Sequence, residues 1–223
     1  MTRFSFSTVG FDLDGTLLDT SEDLAAAVNH ALAHGRHPPL SVERIKPMIG
    51  GGARLTLATA LAETGDGGEV DRLLPLLLDH YQANIAVHTR AFPHAIETVG
   101  ELRAKGVKCA IVTNKRESFT LKLLRLLDLI DRFACVIGGD TLGPGRNKPR
   151  PDPILAMIEQ CGGGPAAFVG DSIYDIDAGK AAGVPTIACA FGFLQQPVET
   201  LGADAIIDGF DQLIPTLTRL DAQ

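Results

Sequence analysis

No stretch of this chain approaches the roughly 18 consecutive apolar residues that a membrane span needs, and the opening residues, Met1-Thr2-Arg3-Phe4-Ser5-Phe6, hold no apolar signal-peptide region. A soluble, cytoplasmic protein with no membrane partner is expected. Basic runs are also missing. Lys and Arg total 20 against 27 Asp and Glu, a formal charge of −7, which argues against a nucleic-acid or polyanionic-surface footprint. An anionic substrate must therefore be met by a local cluster of positive charge. Cysteine is sparse: Cys109, Cys135, Cys161 and Cys189 lie far apart with no CxxC pair, three of them in apolar, strand-like runs, and all four read as reduced core residues. No GxxxxGK[ST] loop exists, so a P-loop NTPase is excluded, and Gly143-Pro144-Gly145 lacks the strand-to-helix context of a dinucleotide site. There is no internal repeat or low-complexity segment.

What remains is a 223-residue chain, 45% apolar, long enough for one large α/β domain or for a core with a small accessory domain. Short runs rich in Val, Ile, Ala, Phe or Cys at about 7–12, 107–112, 133–137, 166–169, 184–189 and 204–207 read as strands, and helical patterns separate most of them. Near-continuous apolar strands alternating with helices predict a Rossmann-like parallel sheet covered on both faces. Gly106 and Gly183 sit where left-handed helix stops are expected before the next strand. The alternation fails between about residues 20 and 90, where only helices are predicted: Ser21 to His34, Gly52 to Thr64 and Glu69 to Val87, the last kinked or divided at Pro75. Pro93 is expected at the first position of the next helix. The organisation predicted is an α/β core of residues 1–18 and 92–223 carrying an all-helical cap, residues 19–91.

The chemistry gathers at predicted strand ends. In an extended chain residues i and i+2 point the same way, so Asp12 and Asp14 of Asp12-Leu13-Asp14-Gly15-Thr16 converge before Gly15 lets the backbone turn. Two such carboxylates repel, and one must take a proton or a cation must sit between them. Alone, the motif is equally an Asp/Gly turn. But Thr113-Asn114-Lys115 ends a second predicted strand, Gly170-Asp171-Ser172 with Asp175 and Asp177 ends a third, and Lys148 precedes a helix in a Pro-rich loop. Ligands of open parallel sheets bind outside the carboxyl ends of the strands. Carboxylates from several such ends, with water, suit Mg²⁺, and the ion, a hydroxyl and an ammonium together make a receptor for phosphate oxygens. His30 and His34, four apart on a predicted helix, lack a suitable partner and read as a solvated face.

The motifs Phe11 to Leu17, Ile111 to Asn114, Lys148-Pro149 and Val169 to Asp175 resemble, in order and spacing, those of the haloacid dehalogenase-like phosphohydrolases. The resemblance implies a helical cap inserted after the first motif. It implies Asp12 as nucleophile, Asp14 as general acid and then base, and Mg²⁺ held by Asp12, Asp171 and the backbone carbonyl of Asp14. Thr113 and the Asn114 N–H would bind phosphate oxygens, Lys148 would neutralise the phosphoryl group, and Asp175 would orient Lys148 or a metal-bound water. An alkoxide needs a proton on leaving and a halide does not, so Asp14 favours phosphate esters over carbon–halogen bonds. Lys46 to Leu55, a Gly-rich loop running into a helix, with Gly192-Phe193 and Gly202 to Asp208, is similar to the bacterial phosphoglycolate phosphatases. There Gly51 and Arg54 would meet a substrate carboxylate, with Lys46 as a further cation. The substrate implied is a small phosphorylated metabolite, 2-phosphoglycolate first. Phosphosugar or amino-sugar phosphate phosphatases and phosphosugar mutases share these motifs, and a non-catalytic phosphate-binding regulator is a distant alternative. Monomer and homodimer are both compatible with the sequence.

Overall fold

A computed structural model describes residues 5–65 and 67–221. The first strand, β1 (Thr8–Phe11), has every residue buried. A two-residue strand β2 (Leu18–Asp19) leads into four helices, α1 (Ser21–His34), α2 (Val42–Ile45), α3 (Ala53–Thr64) and α4 (Val70–Ala83), and the chain returns through β3 (Arg90–Ala91). Alternation then holds: α5 (Ala95–Ala104), β4 (Lys108–Val112), α6 (Glu117–Leu126), β5 (Cys135–Ile137), α7 (Asp152–Gln160), β6 (Ala166–Gly170), α8 (Ile173–Ala181), β7 (Thr186–Cys189), β8 (Ala205–Ile207) and α9 (Leu213–Asp221). The main sheet has six strands in the order β5-β4-β1-β6-β7-β8, and every pairing is parallel.

The strands read as unbroken apolar runs because both faces are covered. Side chains alternate across the sheet: Cys109, Ile111, Ala167 and Val169 join one core with Val99, Leu102, Leu213 and Leu217 from α5 and α9. Ala110, Val112, Ala166 and Phe168 join the opposite core with Ile154, Met157 and Ala178 from α7 and α8. Gly10 of β1 has no side chain, and a Cβ there would overlap Met157. Because the chain builds β4 and β5 on one side of β1 and then β6, β7 and β8 on the other, the carboxyl end of β1 is a topological switch point, where a crevice opens.

The helical segment packs on itself and over that crevice. α1 buries Val28, Ala31 and Leu32, and α4 buries Leu73, Leu77 and Tyr81. Buried Asp23, in the first turn of α1, accepts hydrogen bonds from His88 N, Thr89 N and Thr89 Oγ1 at 2.7–3.1 Å, which ties the returning chain to the start of the segment.

Several expectations need correction. α4 is not divided: it runs through Pro75 and ends at Ala83, not Val87. Proline forfeits one backbone hydrogen bond, while the buried apolar stripe on the other side of the helix holds the turns together. Pro93 lies in a turn ahead of α5, whose N-terminal flank is His94 in a left-handed conformation (φ 62°). Between residues 20 and 89 the described residues form only helices and loops, as expected, but the two ends of the segment are joined by an unexpected ribbon in which Arg90–Ala91 pairs antiparallel with Leu18–Asp19. A two-residue pairing leaves no periodic signal. The four cysteines are free, with Cys109, Cys161 and Cys189 buried and Cys135 half-buried. No described helix is long and apolar enough to cross a membrane.

Candidate active site

Asp12 follows β1 directly, and its backbone N–H bonds Val169 O of β6, so the strand pairing carries the carboxylate to the edge of the sheet. Asp12 Oδ1 accepts from Lys148 Nζ at 2.8 Å. The same ammonium donates to Asp175 Oδ1 at 2.5 Å and to Val112 O at 2.8 Å, so its three protons are all engaged. Lys148, only 2% exposed, is thus fixed by three separate elements.

Asp171 follows β6. Its Oδ1 accepts from Thr16 Oγ1 (2.9 Å) and its Oδ2 from Phe193 N (2.6 Å). Gly15 is required here twice: its φ is 85°, and a Cβ would overlap Asp171 Oδ2. Ligand oxygens of Asp12, Asp171 and Asp175 lie within 4.8 Å of one another. Burial first, then the neighbouring carboxylates, push Asp171 well above the usual carboxylate range. Burial, opposed by Lys148, lifts Asp12 from 3.8 to about 6. Three buried carboxylates thus face one ammonium, and the surplus negative charge and hard oxygen donors fit a divalent cation such as Mg²⁺.

The donor inventory separates the three acids. Asp175 Oδ2 already accepts from Asp171 N, Ser172 N and Ser172 Oγ at 2.6–3.2 Å, and its other oxygen is held by Lys148. It caps α8 and braces the ammonium, so of the two partners expected for it, Lys148 or a metal-bound water, the structure pairs it with Lys148. Asp12 keeps Oδ2 without a hydrogen bond among the described residues, and Asp171 has one bond on each oxygen. These two are the better metal ligands of the cluster.

Asp14 is held apart from that cluster. Its carboxylate accepts from Lys115 Nζ at 2.7 and 2.6 Å and from Thr20 Oγ1 at 2.6 Å. Lys115 is buried and lies 4.7 Å from the ring centre of Tyr81 on α4. Burial opposes its charge, but Asp14 and then Tyr81 outweigh that and hold its pKa above the ordinary lysine value. Sequence reasoning gave Lys115 no role, although it follows Thr113-Asn114 directly. The signal missed was that a second carboxylate in a buried site requires its own cation.

Asp12, Asp14, Thr113, Asn114, Lys115, Gly51 and Arg54 all border one cavity of about 270 Å³, whereas Lys148, Asp171 and Asp175 are not part of its lining and reach it through Asp12 and its neighbours. The Asn114 side chain donates to Gly50 O (2.9 Å) and Lys148 O (3.1 Å), tying the helical segment's Gly-rich loop to the lysine loop. Arg54 borders the cavity, is 59% exposed, and gives one guanidinium nitrogen to Asp71 Oδ1 at 2.5 Å in an exposed pair. Lys46 lies 3.9 Å from Asp19 and over the Phe193 ring, away from the cavity lining. His30 stacks on His80 of α4 with ring centres 4.4 Å apart, while His34 is exposed, so only His34 keeps the solvated setting expected of both.

Carboxylates, an ammonium and a hydroxyl at the carboxyl ends of a parallel sheet, beneath a helical segment inserted after the first strand, define a hydrolase architecture, and the model of the haloacid dehalogenase-like hydrolase family matches residues 9–189. The chain belongs to that family. It is 38% identical to the phosphoglycolate phosphatase of Caulobacter vibrioides over 92% of this chain and 87% of that one. Against the phosphoglycolate phosphatase of Escherichia coli (strain K12), identity is also 38%, over 94% and 91% of the two chains. The crystal structure of a predicted phosphoglycolate phosphatase from Haemophilus somnus superposes with a TM-score of 0.88 at 29% identity, covering 95% of this chain and 98% of that one.

Proposed function

We propose that the chain is a Mg²⁺-dependent phosphatase that hydrolyses a small phosphate monoester, 2-phosphoglycolate first, to alcohol and inorganic phosphate through an aspartyl phosphate on Asp12. The observation that carries the reading is the pairing of two differently held carboxylates in one cavity. Asp12 is braced by Lys148, and Asp14, two residues on, is braced by Lys115 and Thr20. The names of the relatives support the substrate.

Asp12 and Asp171, with the backbone carbonyl of Asp14, are the residues that would hold Mg²⁺. The ion, when bound, supplies charge neutralisation between the nucleophile and an anionic ester. Asp12 attacks phosphorus in line, splitting one hard hydrolysis into two easier steps. Asp14 donates a proton to the leaving alkoxide and later takes one from the attacking water. Thr113 Oγ1 and the Asn114 N–H receive phosphate oxygens, while Lys148 neutralises the transferring group. Residues 19–91 act as the cap and residues 1–18 and 92–223 as the core, with the β2–β3 ribbon at the passage between them.

A phosphate-ester panel with 2-phosphoglycolate, hexose phosphates, amino-sugar phosphates and nucleoside monophosphates, compared by kcat/KM, tests the substrate. The highest value is expected for 2-phosphoglycolate, and a hexose phosphate at the top would move the chain to the phosphosugar phosphatases. Activity that survives full removal of divalent ions by EDTA would remove the metal from the reading.

A further inference from the structure

The cavity that holds the carboxylates is far from polar throughout. Opposite Asp12 and Asp14 its wall is built from Leu24, Val28, Leu74, Leu77 and Leu78 of the helical segment and Phe119 of α6. Leu24, Leu74 and Leu78 are only half-buried, so aliphatic surface faces the cavity. Of the cations in the same lining, Lys115 is committed to Asp14 in a buried pair, while Arg54, paired with Asp71, and Arg116 are both exposed. The leaving group of 2-phosphoglycolate, one methylene and a carboxylate, offers that wall no apolar body. Ligand pockets lined mainly by apolar side chains with a few convergent polar groups take ligands with an apolar body and a polar head.

We infer that this wall is a leaving-group subsite, and that the chain takes a second substrate class: phosphate monoesters whose alcohol carries an apolar chain or ring of about four to eight carbons. The inference rests on phosphoryl transfer to Asp12 as proposed above. The ester head meets Asp12, Thr113 and Lys148, and the apolar body lies along α1, α4 and Phe119. The P–O bond to the alcohol breaks, Asp14 supplies the alcohol's proton, and water regenerates Asp12 with release of phosphate, so no further reactant enters. Each methylene placed on this surface leaves water, and the gain is roughly two- to fourfold in kcat/KM per group.

Phosphate release from ethyl, n-butyl and n-hexyl phosphate, with 2-phosphoglycolate measured alongside, reads this directly. In the unaltered enzyme kcat/KM is expected to rise at least roughly tenfold from ethyl to n-hexyl phosphate. In Leu74→Asp that ratio is expected to fall to about one, and Leu74→Met is expected to keep it. A flat series in an enzyme that turns over 2-phosphoglycolate overturns the subsite and leaves the phosphatase reading standing. An enzyme that releases phosphate from none of the four esters overturns both. A steep series that Leu74→Asp leaves unchanged places the chain elsewhere and also overturns the subsite.

Discussion

The two walls of the cavity are built on opposite principles. The sheet side is charged and buried: Lys148 gives its three protons to Asp12, Asp175 and Val112 O, Asp14 is gripped by Lys115 and Thr20, and the carboxylates left in surplus call for a cation. The helical side presents leucines, a valine and a Gly-rich loop, with its one arginine paired at the surface. Polar networks in a low-dielectric interior tolerate little change, because one missing partner leaves a buried charge exposed to its full desolvation cost. Aliphatic surfaces tolerate substitution of similar volume. The reaction is therefore bound to the strand ends, and the choice of leaving group can drift on the helices.

The contrast predicts a graded set of effects. Asp12→Asn removes the nucleophile while keeping its shape, and kcat for every ester should fall by at least about 10⁴-fold; near-normal turnover of any ester would break the assignment. Asp14→Asn should cost about 10²–10³-fold on alkyl phosphates but far less on p-nitrophenyl phosphate, whose leaving group needs no proton. Equal losses on both would remove Asp14 as the acid to the leaving group and leave only its part in the attack of water, the step both esters share. Lys115→Met strands Asp14 in a buried site and should lower unfolding free energy by about 3 kcal/mol, measured by urea titration; a loss below about 1 kcal/mol would show that Asp14 does not depend on its partner.

Proton linkage sharpens the sheet side further. Asp12 is raised by burial from 3.8 to about 6 and Asp171 moves the same way, so the ion-free native state holds protons that the unfolded chain has released. The Asp12 contribution to stability is present in acid and lost as pH rises through about 4 to 6. Mg²⁺ has to displace the Asp12 proton, and for that one proton calorimetric affinity should strengthen by up to roughly tenfold per pH unit between pH 5 and 6. An affinity independent of pH over that interval would show Asp12 already ionised. On the helical side, Arg54→Ala should change stability by less than about 0.5 kcal/mol, since its pair with Asp71 is exposed. Its effect on the preference for carboxylate-bearing esters should be at most about threefold. A larger loss would mean that Arg54 leaves Asp71 to bind substrate.

The sequence carried the sheet and the placement of residues at its strand ends well. Continuous apolar runs with Gly stops locate parallel strands, and alignment of Asp12, Thr113 and Asp171 follows from all strands pointing one way. Contacts between elements far apart in sequence were not legible. Lys115 and Asp14 are 101 residues apart, and only the parallel pairing of β1 with β4 brings their loops together. Arg54 read as an open cation because its partner Asp71 sits on the next long helix, and helix-to-helix pairing leaves no mark in either local pattern. The β2–β3 ribbon and the unbroken course of α4 through Pro75 escaped for the same reason: local propensity yields to tertiary packing.

The central claim, that Asp12 carries the phosphoryl group, is tested by acid-quenching the enzyme during turnover of 2-phosphoglycolate with Mg²⁺ and mapping the phosphorylated peptide by mass spectrometry. The expected result is one phosphorylated site, Asp12, that disappears in Asp12→Asn. A phosphoryl group on another residue, or none at all while phosphate is released at an undiminished rate in Asp12→Asn, would contradict it.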